Sequence, residues 1–235
     1  MPPQNTDQLS PGTAKPSIIV LGIFLSLILF FFALLAPRIF SFSGSSISKE
    51  RSLFYSRIIL WIWFLFFYAY VVKIEKQKIT LWPQKKYSIL FYIASIFLFL
   101  LCITIGSIIL SKVEGLFGLS DNSKKLSEIL LIFKNNKPLL LFTIFTAAVL
   151  EELYFRGYLV SRLQTLFKNS FLSIVVSSLL FGLAHLGFHN AAQMINVTFI
   201  GIVSSWYFLK YRNITVLIIC HSLIVFIGIY SRLRS

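Results

Sequence analysis

The chain has 235 residues, 57% of them hydrophobic and only 13% charged, with a formal net charge of +14. A soluble domain is nearer half apolar with about a quarter charged residues, so this composition excludes an ordinary soluble protein and points to a polytopic helical membrane protein. The basic excess lies mostly in short loops between apolar runs, which assigns it to anionic lipid headgroups; no basic stripe with stacking aromatics occurs outside those runs, so no nucleic acid is expected as a partner.

Residues 1–16 hold Pro2, Pro3, Pro11, Gly12 and Pro16 and read as a disordered tail. Residues 17–36 form a first apolar run, long enough to cross the hydrocarbon at about 20 residues, and read as a retained helix. A Ser-rich connector follows, then a shorter run over 58–72 with Trp61, Trp63, Tyr68 and Tyr70. Residues 73–87 are a basic loop broken by Trp82-Pro83. The run 88–111 is the most plainly membranous. Within 123–133, Leu126, Ile129, Leu130 and Phe133 share one helical face, which predicts an amphipathic connector lying on the membrane surface. Pro138 suits the first turn of a long helix reaching about residue 167. Further runs cover 171–186, 191–209 and 214–230, for about seven spanning helices in an all-α bundle. Alternate loops carry similar numbers of Lys and Arg, so charge does not set the orientation. Cys102 and Cys220 both fall in apolar runs and read as small buried hydrophobes, with no disulfide framework.

The chemistry centres on Leu150-Glu151-Glu152-Leu153-Tyr154-Phe155-Arg156-Gly157-Tyr158. Two carboxylates sit inside an apolar run, whereas Asp7, Glu50, Glu75, Glu114, Asp121 and Glu128 fall in connectors or the tail. An acid within the bilayer costs at least a few kcal/mol and marks function by default. Glu152 and Arg156 are one helical turn apart and can pair. Glu151 points about 100° away and is the candidate proton acceptor. All three histidines lie downstream. His185 sits one turn after Phe181, His221 lies within the last run, and His189 falls in a loop.

Known intramembrane chemistries can be compared by motif. A His-Glu-x-x-His zinc helix is absent, because His185 and His189 have the spacing without the Glu. A paired-aspartate site is excluded, since both Asp residues lie outside the apolar runs, and no Gly-x-Ser-x-Gly elbow occurs. Cys220 and His221 are neighbours that point apart on a helix, which argues against a thiol nucleophile. Glu plus His acting on water remains, and that is peptide hydrolysis in a membrane cavity. No cofactor is required; two His and a Glu (Glu151, His185 and His221) have the composition of a zinc site.

The wording Glu-Glu-Leu-x-Phe-Arg-Gly-Tyr-Leu, then Phe-Gly-Leu-Ala-His-Leu, then a late His resembles the CAAX prenyl protease 2 type of intramembrane protease. This is the CPBP or Abi family, which includes lysostaphin resistance protein A-like, bacteriocin-processing and self-immunity proteins. The resemblance covers 139–230 and divides the chain into a tail (1–16), N-terminal helices and connectors (17–138), a catalytic core (139–230) and a basic tail (231–235). It implies that Glu151 activates water with help from His185, and that Glu152, Arg156 and Phe181 shape the site. His221 would then stabilise the oxyanion. The family usually has Asn or Asp four residues after the last His; this chain has Val225, and Asn196 or Gln193 on the preceding helix is the substitute. The expected substrate is a membrane protein or lipidated peptide, and the expected location is the cell membrane. The alternatives are an inactive scaffold or immunity protein of the same fold, favoured by Val225, and a proton-coupled transporter using Glu151, Glu152 and His185.

Overall fold

The computed structural model describes residues 14–42, 48–119, 124–185 and 191–234, with side chains over 14–32, 48–119, 127–185 and 191–233. Most of the described residues are helical, and none lies in a strand. They form α1 (Pro16–Phe42), α2 (Lys49–Lys73), α3 (Ile89–Leu116), α4 (Lys124–Asn135), α5 (Lys137–Glu151), a π-helical segment (Glu152–Val160), α6 (Ser161–Phe167), α7 (Ser170–Leu183), α8 (Ala191–Tyr211) and α9 (Ile214–Arg234). Five are long and apolar enough to cross a membrane: α2, α3, the continuous rod 137–167, α8 and α9. Pro16–Phe32 and Ser170–Leu183 are shorter apolar helices.

The second helix begins well before the apolar run that announces it. Ser48 caps it by accepting from the Arg51 amide, and Glu50 sits in the first turn, so capping extends the helix through polar residues that hydropathy alone leaves in the connector. Asn136 caps α5 in the same way, accepting from the Leu139 amide at 2.9 Å with Pro138 in the first turn. Its amide also donates to Glu50, which ties the starts of α2 and α5 together. The two helices therefore run side by side in the same direction, joined further along by Trp61 Nε1 donating to Thr146 Oγ1 at 3.0 Å.

The rod 137–167 is the centre of the bundle. Half of its membrane window is buried, against 11% for α3, which faces outward. Phe30 of α1 and Trp63 and Phe67 of α2 pack on Tyr154, Phe155 and Tyr158. Between helices in lipid such contacts act through close packing, because the tails are as apolar as the side chains. Helix α4 is amphipathic as expected, but Ile129, Ile132 and Phe133 pack on Leu139, Leu140 and Ile144 of α5 and on Ile229 of α9. It therefore seals the bundle as well as lying at its end.

Two expectations from sequence need correction. Glu75 and Glu114 are buried, at 2% and 6% exposure, although both fall near polar connectors. Cys102 is exposed on α3, and only Cys220 is buried.

Glu75 is buried because its connector folds back over the rod. Its Oε2 accepts from Arg162 Nη2 at 3.0 Å, and its Oε1 accepts from Tyr158 at 2.6 Å. The Arg162 guanidinium also donates to the carbonyls of Lys78 and Ile79. Gly157 permits this approach: a Cβ there would lie 3.2 Å from Ile79 and 3.3 Å from Ile214.

Candidate active site

The helical register changes where the acids lie. Glu151 ends α5 and Glu152 opens nine residues of π-helix. A π segment closes i→i+5 hydrogen bonds and widens the helix, a device that recurs at functional sites. Its side chains are among the most buried in the protein, with Arg156 at 0% and Glu152 at 1% exposure.

The pairing expected from spacing is present, as Arg156 Nη1 donates to Glu152 Oε1 at 3.0 Å. The same oxygen lies 2.8 Å from His221 Nδ1 of α9. An ionised carboxylate only accepts, so Nδ1 carries the proton in that bond. The opposite ring nitrogen, His221 Nε2, lies 3.9 Å from Glu151 Oε2. One imidazole thus spans two neighbouring acids, and Glu152 orients the ring.

Phe181 forms the floor. The Arg156 guanidinium lies 4.2 Å above its ring. Phe155, His185 and His221 surround it at centroid distances of 4.9, 5.0 and 6.4 Å. His185 Nδ1 is 2.9 Å from the Phe181 carbonyl, which only accepts, so this nitrogen carries a proton in that bond. His185 joins the cluster through Phe181.

Several polar atoms here are buried without a protein hydrogen-bond partner: Glu151 Oε2, Glu152 Oε2, and Nε and Nη2 of Arg156. Buried polar groups are normally paired, so these atoms have hydrogen-bonding capacity left over. Asn196 Oδ1 on α8 is buried and unpartnered as well. Val225 is half-buried and packs in the apolar cluster of Phe133, Leu139, Leu140 and Ile144. His189 lies outside the described residues.

Sequence reasoning missed Arg57. This residue lies on α2 immediately before the apolar run, one turn from Trp61 on the face that meets α5. Its charge acts on Glu151, and its Nε is buried without a partner. Arg57 thus adds a cation from α2 to that of Arg156, whose charge also acts on Glu151. The available signal was a single Arg at the head of an aromatic-rich run.

Among the described residues no three His, Cys, Asp or Glu side chains are arranged to hold an ion. Glu151, His185 and His221, which have the composition of a zinc site, are not grouped as three ligands in this arrangement.

Fold and site together define a helical integral membrane protein with acids, an arginine and an imidazole gathered inside the bundle. Residues 134–227 match the family model described as type II CAAX prenyl endopeptidase Rce1-like. The match spans Glu151, Glu152, Arg156, Phe181, His185, Asn196 and His221 and leaves Arg57 and Glu75 outside it. No curated protein and no solved structure matches the chain.

Proposed function

We propose that this protein is an intramembrane endopeptidase that cleaves a membrane-associated or lipidated protein, with Glu151 as the base. The observation that carries the reading is the approach of Glu151 Oε2 to within 3.9 Å of His221 Nε2, beside a Glu152 already engaged by Arg156. Glu151 takes a proton from water as the oxygen attacks the scissile carbonyl, then returns it to the departing amine. His221 in its imidazolium form keeps Nδ1–H on Glu152 and offers Nε2–H to the developing oxyanion. His185, held against Phe181, assists by helping to orient the water. No cofactor enters this scheme. The cell membrane is the proposed location.

The test is the purified full chain in lipid against membrane-anchored peptides, prenylated and unprenylated, with products read by mass spectrometry. Glu151→Gln should abolish cleavage while the protein stays folded and inserted. Full activity in that variant removes Glu151 from the mechanism.

A second reading, a membrane scaffold of the same fold, is favoured by Val225, whose side chain packs in an apolar cluster. Val225→Asn separates the two. Gained turnover marks a weakened enzyme, whereas no turnover from either protein on any peptide supports the scaffold.

A further inference from the structure

We propose that one end of the bundle, formed by connector 74–88, the end of α6 and the α8–α9 turn, is a docking surface for anionic lipid headgroups. These segments are tied into one face. The Lys85 amide donates to the Arg212 carbonyl at 3.1 Å, Asn213 Nδ2 donates to the Lys85 carbonyl at 3.0 Å, and the Ile214 amide donates to Gln84 Oε1 at 2.8 Å.

The face is basic without exposed acid among the described residues. Lys76, Lys78, Lys85, Lys86, Lys168 and Lys210 are exposed. Its one carboxylate, Glu75, is 2% exposed and held by Arg162 and Tyr158. The opposite end is mixed, with Lys49 paired to Glu128 at 2.9 Å and Glu50 bonded to Asn136.

Backbone geometry adds an independent observation. The described non-glycine residues with positive φ are Lys76 (55°), Lys168 (52°) and Arg212 (50°), all on this face. Glycine or asparagine takes that conformation at lower cost, so these turns retain cations against local preference. Each follows a helix end, where a cation also offsets the terminal carbonyls. That explains one cation per helix and leaves Lys78, Lys85, Lys86 and Lys210 unaccounted for.

Aromatic rings place the face at headgroup depth. Arg212 lies 5.1 Å from the Trp82 ring, and Lys210 lies 4.7 Å from Trp206 and 5.2 Å from Tyr211. Trp and Tyr concentrate at the boundary between hydrocarbon and water. Cations fixed on such rings meet lipid phosphates, to which Lys and Arg donate charge-assisted hydrogen bonds.

The experiment is native mass spectrometry of the full chain in detergent, with equal amounts of phosphatidylglycerol and phosphatidylcholine added. Wild type should retain phosphatidylglycerol over phosphatidylcholine by about tenfold. The combined Lys76→Gln, Lys85→Gln, Lys86→Gln, Lys168→Gln and Lys210→Gln variant should lose the preference. A Lys112→Gln, Lys134→Gln and Lys137→Gln variant of the other end should keep it. Equal retention of both lipids by wild type overturns the proposal without reference to the variants' folding. Loss of preference only in the other-end variant also overturns it. Displacement of bound lipid by millimolar inorganic phosphate would mark a free-phosphate site and reject a lipid surface.

Discussion

Glu151 and Glu152 are neighbours of identical chemistry, yet converting each to a carboxamide should damage the protein in opposite ways. The Glu152 side chain is 2% exposed and its partner Arg156 1%. Removing one member of a buried pair costs about 3–5 kcal/mol, because the other charge stays buried and uncompensated. At roughly 2–4 °C of Tm per kcal/mol for a chain of this size, Glu152→Gln should lower Tm by about 6–20 °C. Glu151 is 17% exposed and its Oε2 takes no hydrogen bond. Glu151→Gln should therefore shift Tm by no more than about 2–4 °C, the equivalent of ~1 kcal/mol. Its turnover should nevertheless fall by at least the roughly 10²–10⁴-fold that a general base contributes. Tryptophan fluorescence during heating in detergent reads the first quantity, and cleavage of a membrane-anchored peptide reads the second. Equal Tm losses in the two variants, or the larger loss in Glu151→Gln, would refute the division into a clamp and a base.

Glu75→Gln should destabilise by about 3–5 kcal/mol by stranding buried Arg162, and pairing it with Arg162→Met should recover part of that cost in a double-mutant cycle of unfolding. Simple additivity would mean that the two side chains do not act as a unit. Arg57→Gln should lower kcat about tenfold with KM little changed, on the estimate of about 1–2 kcal/mol for one partly screened cation; Arg57→Lys should retain more activity, and indifference to both would remove Arg57 from the site. Gly182→Leu should cost about 1–3 kcal/mol by overpacking, since a Cβ there meets Thr198 and lies 3.2 Å from the Met194 carbonyl. An unchanged Tm would show that α7 and α8 have room to separate.

Local spacing and hydropathy were sufficient for much of this molecule. The long apolar runs became helices, Pro138 opened α5, and Glu152 found Arg156 one turn away. Phe181 and His185 also met one turn apart. These are short-range outcomes, written within a few residues by helical geometry. Other features depend on partners far along the chain. His221 reaches the acids only because α9 packs beside the π segment, and the π segment itself leaves no apolar periodicity to read. Arg57 stood at a run boundary, and Glu75 read as a loop acid until its connector folded onto Arg162. Hydropathy scores each residue by its own preference for lipid or water. Whether a charge in such a chain meets lipid, water or a counter-charge is decided by which helix lies across from it, and that is a property of the packed bundle.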